Sequence, residues 1–261
     1  MSALLETRGL TVRFGGVTAV NSADLRLEEG QIVGLIGPNG AGKTTLLGAC
    51  TGFIPHATGQ VVLAGEDILG SPPAQIARRG LVRTFQGTRP IETMTVFENV
   101  VAGAYRLGSS GAFGALFGTR RARADERAAR EKAAALIEKV GLAETESAYP
   151  SQLSTGRRRL LEIARVLAAE PRVVLLDEPA AGLNRAETDR LANTLRALQR
   201  EGLSSVLVEH DVDLVLSVSD TVVVLDQGEV IATGSPREVS RDPAVIDAYL
   251  GARADEELAH A

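Results

Sequence analysis

The sequence predicts an α/β protein with a mainly parallel sheet, and three features lead to this prediction. A glycine-rich loop at residues 37–45 joins a short apolar run to a stretch that can form a helix. Three runs rich in valine and leucine follow at residues 173–176, 205–208 and 222–225. Such runs, separated by helices, are typical of buried parallel strands. An alanine-rich helical segment from about residue 95 to 142 interrupts this alternation of strands and helices.

Length and composition allow one large domain or a core that carries a subdomain, because 261 residues with 44% hydrophobic side chains can bury a sizeable core. The net charge of -5 argues against non-specific nucleic-acid binding as the main activity. The chain lacks the features of a signal peptide and any run near the ~18 apolar residues of a membrane span. We therefore expect a soluble protein whose membrane role, if it has one, depends on a partner.

The first part of the chain is predicted to be rich in strands, with a turn at residues 14–16 and a short helix at residues 73–79. The single cysteine, Cys50, lies on the apolar side of the helix that follows the glycine-rich loop, and we expect it to contribute packing. The strands expected here are residues 4–11, 23–27, 31–36, 59–64 and 81–85.

The alanine-rich segment contains an amphipathic helix at residues 120–139, with charges alternating on one face. The basic run at residues 120–123 fits a solvated helix face better than a contact with phospholipid or a partner. A further helix is predicted at residues 160–169, with Ser154 as a good N-cap and three arginines at residues 157–159. Arginines in the first turns oppose the helix dipole, which indicates an anionic or acidic neighbour.

The glycine-rich loop fits the phosphate-binding pattern G-x-x-x-x-G-K-[ST] in its strand–loop–helix context. Its glycines allow the backbone N–H groups to turn inward as an anion site at the positive end of the helix. The lysine adds a charge for the β- and γ-phosphates, and the first threonine offers a hydroxyl to Mg²⁺. The predicted nucleotide-binding residues are Gly37, Pro38, Asn39, Gly40, Ala41, Gly42, Lys43, Thr44 and Thr45.

Two acids end the apolar strand at residues 173–176, where a parallel sheet places its ligand crevice. We expect Asp177 to hold Mg²⁺ and Glu178 to orient and deprotonate the attacking water. Taken alone, the pair would fit a cap of the next helix equally well. His210 and Gln86 also follow predicted strands, and they are candidates for contacts with the γ-phosphate, the attacking water or Mg²⁺.

Together these motifs, in this order, resemble the ATP-binding cassette of ABC transporters over about residues 4–251. The phrases that carry the resemblance are Phe14, GPNGAGKTT, Gln86, LSTGR, VVLLDEP, AAGLN and His210. Further phrases, among them LTVRFGGVTAV, LLEIAR and DPAVIDAYLG, are most similar to the LivG-like branch found in branched-chain amino-acid importers.

The resemblance implies a P-loop NTPase (RecA-like) core with an antiparallel β subdomain and an inserted α-helical subdomain. The single domain would span residues 4–251, with residues 4–86 and 161–251 in the core and β subdomain. The helical subdomain would span about residues 87–160, and residues 252–261 would form a flexible tail.

The resemblance also implies roles for single residues. Phe14 would stack on adenine, and Gln86 would be the linker glutamine that contacts Mg²⁺ or water. Asp177 and Glu178 would be the metal acid and the catalytic base, and His210 would be the switch histidine. In the family, the loop that here contains Ser154 and Gly156 completes the ATP site of a partner cassette, and residues 181–184 meet the opposite subunit.

The implied function is ATP hydrolysis that drives import through ATP-dependent pairing of two cassettes. The implied partners are membrane permeases, a LivF-like second cassette or a second copy of this chain, and indirectly a solute-binding protein; no nucleic acid is expected. The implied location is the cytoplasmic face of the inner membrane. At the signature loop, residues 153–157, Thr155 and Arg157 replace a glycine and a glutamine of the usual LSGGQ.

Three rival classes are weighed against this one. An LptB-like export ATPase would have a cassette of the same build. Soluble ABC ATPases that act on DNA or ribosomes carry a long coiled coil or two cassettes, and this chain has neither. A P-loop GTPase would need the motif N-K-x-D, which is absent.

Overall fold

The computed structural model describes residues 3–84, 90–104 and 120–249, without the side chains of residues 120–122. The chain forms two compact units. The first unit consists of Met1–Arg83, Arg172–Pro179 and Leu195–Ala261, and the second of Thr84–Pro171 and Ala180–Thr194.

A four-stranded antiparallel sheet opens the first unit. Its strands are β1 (Leu5–Phe14), β2 (Val17–Leu27), β4 (Ala57–Leu63) and β5 (Glu66–Asp67), in the order β2-β1-β4-β5. The strands β1 and β2 form a hairpin that pairs Phe14 with Val17. Both strands therefore extend to the turn, beyond the predicted ranges 4–11 and 23–27.

A six-stranded sheet forms the rest of this unit. Its strands are β3 (Ile32–Ile36), β6 (Leu81–Arg83), β7 (Val173–Asp177), β8 (Ser205–Val208), β9 (Thr221–Asp226) and β10 (Glu229–Gly234), in the order β10-β9-β3-β8-β7-β6. The pairs from β9 to β6 are parallel, and β10 joins β9 antiparallel. This sheet confirms the predicted α/β class, and β3, β7 and β8 are buried at every residue.

The helices that the structure describes follow in chain order. They are α1 (Lys43–Cys50), α2 (Pro73–Arg78), α3 (Val96–Ala104), α4 (Arg120–Lys139), α5 (Thr155–Leu167), α6 (Arg185–Arg200), α7 (Val212–Val218), α8 (Pro236–Val239) and α9 (residues 243–249).

Helix α1 packs its apolar residues into the core of the first unit. Leu46, Leu47 and Cys50 are buried there with residues of β1, β3, β7 and β8. Burial raises the pKa of the Cys50 thiol to about 12. Cys50 therefore serves the core as a small apolar residue, as predicted.

The second unit is built around α3, α4 and α5. The helices α3 and α5 approach so closely at Gly103 that a Cβ there would lie 2.3 Å from the carbonyl oxygen of Arg165. The fully buried Asn99 of α3 holds the turn before it, since its amide lies within hydrogen-bond distance of Ile91, Met94 and Thr95.

Helix α5 begins at Thr155, five residues before the predicted start at residue 160. Ser154 is its N-cap, and the serine hydroxyl accepts a hydrogen bond from the N–H of Arg157. The arginines at residues 157–159 lie inside the helix, and acidic side chains lie beside them, as expected from the helix dipole. Glu144 is 4.0 Å from Arg157, Glu92 is 3.5 Å from Arg158, and Glu162 is 2.9 Å from Arg159.

Candidate functional site

The loop after β3 is held by close backbone contacts that admit only glycine. A Cβ on Gly37 would lie 1.9 Å from the carbonyl oxygen of Leu225, and one on Gly42 would lie 2.4 Å from that of Ala19. Gly42 also caps α1 in the left-handed conformation, with φ at 102°. The loop therefore delivers the N-terminus of α1, with its free N–H groups, to a fixed place beside the sheet.

Lys43 folds back over this loop. Its Nζ donates to the carbonyl oxygens of Gly37 at 2.7 Å and Pro38 at 2.8 Å, and the residue is only 6% exposed. Burial lowers the pKa of Lys43, while the carboxylates of Glu178 and Asp177 act in the opposite direction. The ammonium group therefore binds the loop carbonyls and also interacts electrostatically with the two carboxylates.

Asp177 ends β7 and is nearly buried. Its Oδ2 accepts a hydrogen bond from Nη2 of Arg83 at 2.6 Å, and the exposed fractions of the two side chains are 4% and 8%. The strands β6 and β7 are parallel neighbours, so the arginine and the aspartate reach each other across the sheet. Arg83 thereby fixes the orientation of the predicted metal acid.

Glu178 follows Asp177 with an unusual backbone. Its φ is 49°, a left-handed backbone conformation that residues other than glycine rarely adopt. The N–H of Glu178 donates to the carbonyl oxygen of Val208, and its Oε1 lies 2.8 Å from Nε2 of His210. A costly backbone conformation that aims a carboxylate at a histidine is typical of functional sites.

These residues surround one cleft of about 270 Å³ in the first unit. The structure thus brings the phosphate-binding loop, Glu178 and His210 together, as the sequence predicts. The residues that line the cleft are Ala19, Asn39, Gly40, Ala41, Gly42, Lys43, Thr44, Thr45, Glu178 and His210.

Not every predicted site residue is shown at this cleft, and its lining does not include Gly37, Pro38 or Asp177. Phe14 lies at the tip of the β1–β2 hairpin, 54% exposed, and it does not line the cleft although Ala19 of the same hairpin does. Gln86 lies outside the residues that the structure describes. The roles predicted for Phe14 and Gln86 rest on the sequence alone.

Ser154 and Gly156 lie in the second unit, at the start of α5. Both donate to one oxygen of Glu187: the Ser154 hydroxyl at 2.9 Å and the Gly156 N–H at 3.2 Å. The predicted loop at residues 181–184 leads directly into α6, on which Glu187 lies. Glu187 therefore links the two segments of this chain that the resemblance predicts to face a partner subunit.

Sequence reasoning missed Arg83 and Glu187. Arg83 stands three residues before Gln86, and its partner Asp177 is 94 residues away in the chain. Glu187 is 33 residues from Ser154. No short motif signals either contact, although a glutamate three residues after Asn184 fits the pattern of a capping box.

Two further properties concern metals and membranes. In the part of the chain that the structure describes, no three histidine, cysteine, aspartate or glutamate residues cluster in a way that could hold a metal ion. No helix among the same residues has the length and apolar character needed to cross a membrane.

Comparison with known proteins identifies the family. The ABC transporter family model matches residues 20–181, and a model described as branched-chain amino acid ATP-binding cassette transporter matches residues 229–255. The chain belongs to the ATP-binding subunits of ABC transporters, which are ATPases that drive transport. This finding confirms the predicted family and enzyme class.

The relatives place the chain in the LivG-like branch. BraF of Pseudomonas aeruginosa, a high-affinity branched-chain amino acid transport ATP-binding protein, is 46% identical over 95% of this chain and 98% of BraF. LivG of Escherichia coli K12, named in the same way, is 42% identical over 95% of this chain and 98% of LivG. These relatives do not favour the export and non-transport alternatives.

Solved structures agree with the fold. The ADP conformation of MJ1267, an ATP-binding cassette of an ABC transporter, superposes with a TM-score of 0.83 and 32% identity over 96% of this chain and 100% of that one. A nucleotide-free ATP-binding cassette gives a TM-score of 0.81 and 31% identity over 95% and 99%. The P-loop NTPase fold and nucleotide binding are thereby established for this family of chains.

Proposed function

We propose that this chain binds and hydrolyses MgATP to drive an importer for branched-chain amino acids or related small solutes. The similarity to BraF and LivG along nearly the whole chain supports the solute class. The observation that carries the catalytic assignment is the contact of Glu178 with His210, at the edge of the cleft formed by the phosphate-binding loop.

In this proposal the loop at residues 37–45 binds the triphosphate. The N–H groups at the start of α1 face the phosphates, and Lys43 exchanges the carbonyl oxygens of Gly37 and Pro38 for phosphate oxygens. Phe14, exposed at the hairpin tip, stacks on the adenine ring. Thr45 and the remaining loop residues complete the binding site for the triphosphate.

The donor chemistry around the loop fits Mg²⁺. This ion is usually held by one or two protein oxygens together with phosphates and waters, so a cluster of three carboxylates is not required. Thr44, Asp177 and Gln86 would hold it, and Arg83 would keep the Asp177 carboxylate in place. When bound, the ion neutralises charge on the β- and γ-phosphates.

Glu178 acts as the general base in this mechanism. It accepts a proton from the attacking water, and His210 orients the Glu178 carboxylate through the 2.8 Å contact while facing the γ-phosphate position. Glu178 has a left-handed backbone conformation, and the residue lines the cleft. Both residues belong to the chain that binds the nucleotide.

We further propose that two cassettes pair around ATP. Ser154 and Gly156 of this chain complete the site of a partner, which is a LivF-like relative or a second copy. ATP favours the closed pair and hydrolysis reopens it. We retain the expected organisation, with one ABC domain at residues 4–251, a helical part at about 87–160 and a tail at 252–261.

The pairing would act on membrane permeases at the cytoplasmic face of the inner membrane, with a solute-binding protein on the other side. A groove of about 770 Å³ on the second unit is our candidate for the permease contact. Its lining includes the apolar residues Met94, Phe97 and Val101 and the charged residues Glu98, Arg130 and Glu146. This surface overlaps the segment at residues 87–100 that follows Gln86.

The test is uptake of radiolabelled leucine by host cells that lack the chain. The wild-type chain should restore uptake, and Lys43→Ala should not, because the loop loses the charge that meets the triphosphate. Lys139→Ala, at the far end of α4, is the control and should restore uptake fully. Uptake restored by Lys43→Ala would contradict the proposed energy source, and uptake that never depends on the chain would contradict the solute class.

A further inference from the structure

The start of helix α5 already holds an anion that belongs to the chain itself. Oε1 of Glu187 accepts from the Ser154 hydroxyl at 2.9 Å and from the Gly156 N–H at 3.2 Å. The carboxylate lies directly on the glycine, since a Cβ on Gly156 would come within 2.9 Å of Cδ and Oε1 of Glu187.

The other oxygen of this carboxylate holds Glu187 in place. Oε2 accepts from the N–H of Asn184 at 3.3 Å, and Oδ1 of Asn184 accepts from the N–H of Glu187 at 3.0 Å. The two side chains form a reciprocal cap at the start of α6. The side chain of Glu187 is therefore fixed, and its Oε1 is presented to the signature loop.

The two donors belong to Ser154 and Gly156, the residues with which the proposed function completes the ATP site of the partner cassette. A serine hydroxyl carries one proton, and a backbone N–H carries one as well. Each can serve Glu187 or a phosphate oxygen, and a carboxylate beside a triphosphate adds repulsion between like charges. The two anions therefore exclude each other at this position.

We propose that Glu187 is a competing residue of the composite ATP site, whose carboxylate occupies the Ser154 and Gly156 donors until the nucleotide displaces it. The inference rests on the proposed function, because it concerns the same loop and the same composite ATP site. Glu187 stabilises the open arrangement and raises the ATP concentration that closure requires.

The charge of Glu187 is maintained at neutral pH. The Ser154 hydroxyl, followed by the Asn184 backbone, holds the pKa of this carboxyl below its usual value. Each donor favours the ionised form. Competition with the phosphate therefore does not require any change of protonation.

The experiment compares Glu187→Gln with the wild type in the transporter complex, purified from its host through a tag on this chain. The amide keeps the shape of the side chain and its acceptor oxygen but loses the charge, and charged hydrogen bonds are about twice as strong as neutral ones. We expect the ATP concentration for half-maximal hydrolysis to fall by about three- to tenfold, with the maximal rate unchanged or higher. A damaged fold would not lower the ATP requirement.

Glu238→Gln is a matched control. Glu238 accepts from a serine hydroxyl at 2.7 Å and from the N–H of the same residue, Ser235, at the start of α8, in a reciprocal cap of the same kind. This variant removes one negative charge from a capped helix and should leave the ATP requirement at the wild-type value.

Two outcomes overturn the inference. If Glu187→Gln leaves the ATP requirement unchanged or raises it, the carboxylate supports the loop and does not compete with the nucleotide. If Glu187→Gln and Glu238→Gln lower it equally, the effect is one of net charge. Failure of the proposed function would appear differently, as hydrolysis that survives Lys43→Ala in the same complex.

Discussion

Glu178 shows how much chemistry one residue at a strand end can carry. It combines a φ of 49° with a 2.8 Å contact to His210, at the edge of the nucleotide cleft. The backbone conformation costs free energy that the surrounding sheet must offset. The side chain therefore has a fixed direction before any substrate arrives.

Glu178→Gln should lower the ATPase rate by about 10²–10⁴-fold, the usual cost of losing a general base. The amide keeps the contact with His210, so ATP affinity should remain. Single-turnover hydrolysis and equilibrium ATP binding measure the two quantities separately. Glu66→Gln, an exposed residue of β5, is the control, and a variant at position 178 with near-normal turnover would remove Glu178 from the mechanism.

Arg83→Met tests the buried ion pair with Asp177. Removing the guanidinium from a buried carboxylate should lower the free energy of unfolding by about 3–5 kcal/mol, because the desolvated charge loses its main cation. Urea unfolding measures this change. Arg83→Met should also reduce the extent to which Mg²⁺ increases nucleotide affinity, because Asp177 is no longer held in place. A titration of nucleotide binding with Mg²⁺ measures this effect.

The pair of Arg8 with Glu6 is the control for Arg83, since its distance is 2.7 Å but the arginine side chain is 58% exposed. Arg8→Met should change stability far less, because water screens the exposed pair. Equal losses from the two variants would mean that burial of the Arg83–Asp177 pair is not decisive.

At the scale of elements, the close crossing of α3 and α5 depends on Gly103. Gly103→Ala should lower the free energy of unfolding by about 1–3 kcal/mol, since the added methyl meets the carbonyl of Arg165 at 2.3 Å. Thermal and urea unfolding monitored by circular dichroism measure the loss. Gly16→Ala is the control, because a Cβ there meets nothing within 4 Å; similar melting of both variants would contradict the tight crossing.

The sequence predicts elements well where the pattern is local. The helix at residues 120–139 and the strand at 205–208 have the predicted bounds, because a periodic or wholly apolar run defines each. The range 160–169 places the start of α5 five residues late, although Ser154 is the expected N-cap. The acidic neighbours expected beside the arginines at residues 157–159 are Glu92, Glu144 and Glu162. Those acids come from distant parts of the chain or from the next turn.

The residues of the candidate site likewise fall into those that the sequence predicts and those that it does not. The cleft around the phosphate-binding loop was predictable because contiguous motifs at the ends of parallel strands meet at one edge of the sheet. Arg83 and Glu187 were not predictable, because each acts through a partner brought near by folding. These two contacts depend on tertiary packing, which periodicity and motif spacing do not encode.

At the scale of the whole molecule, the groove at Met94 and Phe97 is the proposed contact with a permease. Phe97→Asp should abolish co-purification of integral membrane subunits, because a charge replaces an apolar contact in the groove. Ile246→Asp, on α9 and 45% exposed, is the control and should leave co-purification intact. Retention of the membrane subunits by Phe97→Asp would place the docking surface elsewhere, and circular dichroism verifies that both variants fold.

The tether of Lys43 to Gly37 and Pro38 has a kinetic consequence for the whole molecule. Because Lys43 binds two carbonyl oxygens of its own loop, contacts within the chain help to order the loop before a triphosphate arrives. Little ordering is then required at the moment of encounter, and pre-organisation of this kind mainly lowers the entropic cost of association. Discrimination between ATP and ADP would accordingly lie in how long each stays rather than in how fast each arrives.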